Sequence, residues 1–123
     1  MGDYAVRLAR RSGILAEPPQ HPLPPHFARM GELATAMVHD ILTALADQDA
    51  RRAREIAVRD EEIDHLYREV VDYLIGRGKP SPYIALRTVT LIQAAHDLER
   101  ISDRVTNIAE DIIFWVEGEI VEL

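Results

Sequence analysis

The chain has 123 residues, no cysteine, and 21 acidic against 14 basic side chains, for a net charge of −7. That length suits one domain with a core of its own, and the missing cysteines exclude disulfides, zinc–thiolate and iron–sulfur sites and cysteine nucleophiles. The acidic balance argues against a nucleic-acid binder, and a hydrophobic fraction of 47% argues against a disordered chain. No apolar run approaches the roughly 18 residues of a membrane span. Met1-Gly2-Asp3-Tyr4-Ala5-Val6 has neither a basic start nor an apolar stretch, and Val6 stands where myristoylation needs Ser or Thr. A soluble, cytoplasmic protein with no membrane insertion is expected.

In chain order, a first short helix is expected from about Asp3 to Leu15. The segment from Glu17 to Pro25 holds five of the seven prolines and is expected to be a stiff, extended connector. A second helix follows over about 26–46, where Phe27, Met30, Leu33, Met37, Ile41 and Leu45 recur on one face. Asp47-Gln48-Asp49 breaks it, and Asp49 is a good N-cap for the next helix. That third helix spans about 50–76 and carries Ile56, Ile63, Leu66, Tyr67, Val70 and Leu74 on its apolar face. Gly76-Arg77-Gly78-Lys79-Pro80 ends it. Ser81 then caps a fourth helix with Pro82 at its first position, where a missing N–H costs nothing. This longest helix reaches about Glu117. Its core face includes Leu91, Ala95, Leu98, Ser102, Val105, Ala109, Ile112 and Val116. No strand pattern occurs. The expected fold is all-α: an antiparallel three-helix bundle over 26–123, preceded by a short helix over 1–16 and the connector over 17–25.

Certain acids fall where core residues belong. Advancing by about 100° per residue, Asp60 lies inside the apolar arc of the third helix and Asp64 at its edge. On the fourth helix Glu99 lies inside the arc and Asp103 follows one turn later. Each helix thus directs an acid-x-x-x-acid pair at the bundle interior. Burying such charges unpaired costs several kcal/mol each. An acidic face that gathers bulk cations, salt bridges from Arg59, Arg68, Arg100 or Arg104, or a bound metal would each offset it. Oxygen ligands alone suit magnesium, manganese, calcium or iron. Glu61, Glu62, Asp97, Glu110 and Asp111 read as mostly solvated. Glu62-Ile63-Asp64-His65 contains one Glu-x-x-His, whereas a ferritin-like di-iron bundle needs two, and His65 and His96 both lie off the core face. That reading is rejected.

The two ends of the chain echo each other. Residues 1–10 align with residues 101–110, with Asp3 on Asp103, Ala9 on Ala109, and apolar on apolar at Met1/Ile101, Ala5/Val105 and Leu8/Ile108. Read as a repeat, the chain holds the end of one unit followed by a whole second unit.

Glu99-Arg100-Ile101-Ser102-Asp103, Asn107-Ile108-Ala109-Glu110 and Asp60-Glu61-Glu62-Ile63-Asp64 together resemble the motifs of the PhoU family of phosphate-signalling regulators. Met1-Gly2-Asp3-Tyr4-Ala5 resembles the first-repeat version of the same motif. The prolines followed by Phe27-Ala28-Arg29-Met30 resemble the link between the family's two units. The resemblance covers essentially the whole chain. Ser102 stands where the family usually has Gly, and most of the first unit is absent. The resemblance implies the C-terminal half of a non-enzymatic regulator of phosphate uptake and of the phosphate-starvation response. It implies a cytoplasmic location at the inner membrane face, between the phosphate ABC transporter and a sensor histidine kinase. It also implies metal, as an iron or zinc cluster or as manganese or magnesium, held by Asp60, Asp64, Glu99 and Asp103, with Asn107 and Glu110 as further candidates. A lone unit is expected to form a homodimer. The competing readings are a purely structural, dimerising bundle and a metal-dependent helical hydrolase. Against the hydrolase, adjacent His96 and Asp97 point in different directions and no phosphate-cradling glycine loop occurs.

Overall fold

The computed structural model describes residues 2–16, 23–76 and 82–123, with the side chains of 14–16 and 82–85 left aside. Within them lie four helices: α1 (Gly2–Ala16), α2 (Phe27–Asp47), α3 (Ala50–Gly76) and α4 (Pro82–Glu117). Most of the expected proline connector, the glycine-rich break after α3 and the Ser81 cap fall outside the described residues.

Each junction has a local cause. His26 and Gln48 flank α2 in the left-handed region, at φ 70° and 51°. Gln48 closes the helix, with its N–H directed at the carbonyl of Leu45 and the Asp49 N–H at that of Ala44. One residue later α3 begins. The Asp49 carboxylate accepts from the Arg52 N–H at 3.0 Å, the capping role its sequence position predicts. Gly118, at φ 72°, ends α4. The tail then turns back, so that Val121 packs against the core and the Leu123 N–H reaches Glu110 Oε1 at 3.2 Å.

α2, α3 and α4 form an up-down-up antiparallel bundle around one apolar core. α2 is pinned to α3 by Arg59 and Arg52 on Asp40, and α4 to the start of α3 by two Arg54–Glu117 contacts at 2.6 and 2.7 Å. Met30, Met37, Ile41, Ile56, Ile63, Val70, Val105, Ile112 and Ile113 are essentially inaccessible to solvent. Two residues assigned to the core by sequence lie outside it. Leu45 and Val116 are exposed, and Ala44 and Ile113 take their places. In both helices the apolar stripe drifts by a fraction of a turn, so the buried position at the far end shifts by a few residues.

α1 packs against α4 alone among the described residues. It inserts Tyr4 and Leu8 towards the core, and Arg11 pairs with Asp97. Asp97, taken from the sequence as solvated, is only 3% exposed. α1 is what buries it, through a partner far away in the chain.

Candidate metal centre

The carboxylates that the helical phase sends inward do converge. One oxygen each from Asp60 and Asp64 on α3 and from Asp103 on α4 lie within 4.8 Å of one another. All three side chains are half-buried between the helices. The floor is built by Ser102, a fully buried hydroxyl that donates to Asp60 Oδ1 at 2.7 Å and sits 3.6 Å from Met37 Sδ. A larger residue at 102 would fill this floor. Ser keeps the helices close and orients the Asp60 carboxylate.

Glu99, one turn before Asp103, lies outside that compact set of oxygens. The charge of the cluster nevertheless reaches it. Burial, then repulsion from Asp64, Asp103 and Asp60, pushes the Glu99 carboxyl above the ordinary carboxylate range. Burial is also the main cause of the raised pKa of Asp64, with Asp60 adding repulsion. Asp103 is raised by burial first and then by Asp60 and Asp64. Like charges packed this closely favour the neutral forms unless a cation joins them.

The arginines that the sequence offered as counter-charges are mostly engaged elsewhere. Arg59 lies 2.6 Å from Asp40. Arg104, with Arg100 beside it, acts on the Tyr4 hydroxyl of α1 and lowers its pKa. Arg100, 3.9 Å from Asp103, partly offsets Asp103 and Glu99 through its charge, and Arg68 does the same for Asp64, but burial and the neighbouring acids outweigh both. Three convergent oxygens with little organic counter-charge fit a divalent or trivalent cation that prefers carboxylates. Asn107 is exposed and lines a small polar notch of about 130 Å³ with Arg100, Asp103 and Arg104. Glu110 accepts from the C-terminal backbone instead of turning to the cluster. Asp3, on α1, is exposed. Beside the cluster, burial and the nearby Glu99 raise the Tyr67 phenol, and its ring lies 6.2 Å from that of His96. Tyr67 was legible only as a core residue, because a half-buried aromatic at an apolar position gives no sign of an acidic neighbour.

The chain and its fold have known relatives. A family model for the PhoU domain matches residues 27–112. The phosphate-specific transport system accessory protein PhoU homolog of Caulobacter vibrioides is 37% identical, over 96% of this chain and 52% of its own length. The homolog of the same name from Deinococcus radiodurans is 32% identical, over 96% of this chain and 55% of its own. The crystal structure of the phosphate transport system regulatory protein PhoU from Streptococcus pneumoniae superposes with a TM-score of 0.85 at 27% identity, covering 99% of this chain and 57% of that one. The chain thus spans about half the length of the relatives it matches, which are named as accessory and regulatory proteins rather than enzymes. With the domain match running from the start of α2 almost to the end of α4, and the superposition reaching across α1 as well, the chain belongs to the PhoU family.

Proposed function

We propose that the chain is a regulatory, non-catalytic component of phosphate uptake. In this reading residues 1–16 correspond to the end of a first unit, 17–25 to the connector and 26–123 to the second unit. It works in the cytoplasm at the membrane face, docking on a phosphate ABC transporter subunit and a sensor histidine kinase, and it restrains the phosphate-starvation response. Among the described residues no helix is long and apolar enough to cross a membrane. The net charge of −7 suits basic docking surfaces.

The observation that carries the proposal is the convergence of Asp60, Asp64 and Asp103 between two helices of a family member. These three would hold the metal, iron, zinc, manganese or magnesium, with Glu99 supplying further negative charge from one turn away. The metal would neutralise the cluster and tie α3 to α4, fixing the surface that partners read. The test is metal content by mass spectrometry on untagged protein, followed by capture of the kinase's cytoplasmic part and the transporter's nucleotide-binding subunit. The parent chain is expected to hold about one metal ion or more and to capture a partner. Asp60→Asn with Asp103→Asn is expected to lose both while keeping its helical circular dichroism. Equal metal content in parent and variant, or capture by neither, would refute the proposal.

A further inference from the structure

Two surface histidines, His26 and His65, meet where α2 begins beside the second half of α3. Glu69 stands between two imidazoles. His65 Nε2 lies 2.9 Å from its Oε1, and His26 Nε2 lies 3.1 Å from its Oε2. His65 and Glu69 are four residues apart on α3, a spacing that places both side chains on one face of a rigid helix. His26 arrives from the other element. Its position is set by a turn in which the Phe27 N–H reaches the Pro24 carbonyl at 3.3 Å, over a buried Pro24. The turn holds His26 at φ 70°, a left-handed conformation in which His is found more often than most non-glycine residues. The backbone therefore presents this imidazole to Glu69, rather than leaving it at the end of a loose loop.

Two imidazole nitrogens and one carboxylate are the ligand set of zinc and its neighbours nickel, cobalt and copper, not of magnesium or calcium. In the metal-free arrangement the two nitrogens hold opposite oxygens of Glu69. The three groups do not all come within 4.8 Å of one another in this arrangement, so an ion bound at about 2.0–2.2 Å to each would need the exposed imidazoles to rotate about their side-chain bonds onto one side of the carboxylate. Side-chain exposures of 52%, 62% and 41% for His26, His65 and Glu69 leave a path for the ion and an open coordination position for water. The neighbouring Arg29 is drawn to Glu62 at 3.4 Å.

We propose that His26, His65 and Glu69 form a binding site for a zinc-like, imidazole-preferring divalent cation, separate from the Asp60–Asp64–Asp103 cluster. Occupancy clasps the N-terminus of α2 to α3. The site depends on none of the carboxylates in the α3–α4 seam.

Calorimetric titration of the untagged chain with zinc chloride tests this. The parent is compared with an Asp60→Asn/Asp64→Asn/Asp103→Asn variant, and with that variant carrying His26→Ala or His65→Ala. The acid variant is expected to bind one zinc ion per chain, and each histidine change to weaken that binding by about tenfold or more. Imidazole NMR signals of His26 and His65 are expected to shift with zinc, while those of His39 and His96 stay in place. Circular dichroism confirms that each variant is folded, which is expected because all three residues lie on the surface. Loss of zinc binding in the acid variant, unchanged affinity in the histidine variants, or shifts confined to His39 and His96 would overturn the proposal. Its failure would leave the carboxylate site untouched, because that site is read from the parent minus the acid variant.

Discussion

At the scale of single residues, the acids set the chemistry. Asp64, Glu99 and Asp103 all have raised pKa values, chiefly through burial and then through neighbouring carboxylates, Asp60 among them in each case. The folded, metal-free chain therefore takes up protons more readily than the unfolded chain. The cost of their charges is fully present above the raised values and is relieved as pH falls towards the ordinary carboxylate value of about 4. Asp40 and Glu117 behave in the opposite sense. Hydrogen bonds from Arg59 and Arg54 hold them below their usual values, so their contribution is present at neutral pH and is lost only in stronger acid. The metal-free protein is expected to melt at a higher temperature at pH 5.5 than at pH 7, then to lose stability towards pH 3. The metal-loaded protein is expected to weaken from pH 7 downward, because protons compete for its ligands. Thermal melts in chelator and in metal check this. Asp64→Asn/Asp103→Asn serves as a control, since it should flatten the gain at pH 5.5. A melting temperature that falls between pH 7 and 5.5 in chelator refutes the assignment. The placement of these acids was legible because a helix of constant pitch converts spacing into direction. What stayed hidden was the third dimension: that Glu99 stops short of the compact set, and that Ser102 on the neighbouring turn orients Asp60.

At the scale of elements, the long helices were legible nearly to the residue. Amphipathic stripes, the Asp49 cap and Pro82 at the first helical position are local signals, and helix ends obey local chemistry. α1 was legible as a helix but not as a dock. Asp97 occupies a position that looks polar and solvated until Arg11 arrives from the other end of the chain. No periodicity within α4 announces that pairing. The pair is also the main polar tie of a helix that touches only α4 among the described residues. Breaking a buried ion pair by removing one partner leaves an uncompensated charge and costs about 3–5 kcal/mol; about 3 kcal/mol is expected here, because the Arg11 side chain is one-fifth exposed. Arg11→Ala is therefore expected to release α1 while the three-helix bundle stays folded. Hydrogen exchange would register this as fast exchange confined to residues 2–16. Replacing both partners, Arg11→Leu with Asp97→Leu, should restore much of the protection. Equal protection of α1 in the parent and in Arg11→Ala would show that Tyr4 and Leu8 suffice to hold the helix.

At the scale of the whole molecule, α1 and α4 meet as equivalents. The echo between residues 1–10 and 101–110 makes Tyr4 the counterpart of position 104, and it is Arg104 that Tyr4 meets. Arg11, seven residues on, meets Asp97, seven residues back, so the helices run antiparallel about a local two-fold axis at these equivalent positions. A second chain could in principle lay its own α4 in the place of α1. The charges oppose it: Asp111 would then face Asp97, and Arg104 would face Arg104. Self-association has to use another surface. On α2 a second apolar stripe stays open, with Leu42 51% exposed, and Ala34, Thr35, Val38, His39 and Leu42 line a groove of about 400 Å³ together with Ile101 of α4. Covering such a stripe is favourable in proportion to its apolar area, and a two-fold pairing would cover both copies at once. The homodimer expected of a lone unit would therefore form through α2. Sedimentation equilibrium should give a dimer for the parent chain and for Arg11→Ala. It should give a monomer for Leu42→Glu, which sets a charge in the groove of each copy without touching the core. A monomeric parent at high micromolar concentration would refute self-association. A dimer that survives Leu42→Glu but dissociates with Arg11→Ala would place the contact on the α1–α4 seam, against the charge pattern that argues for α2.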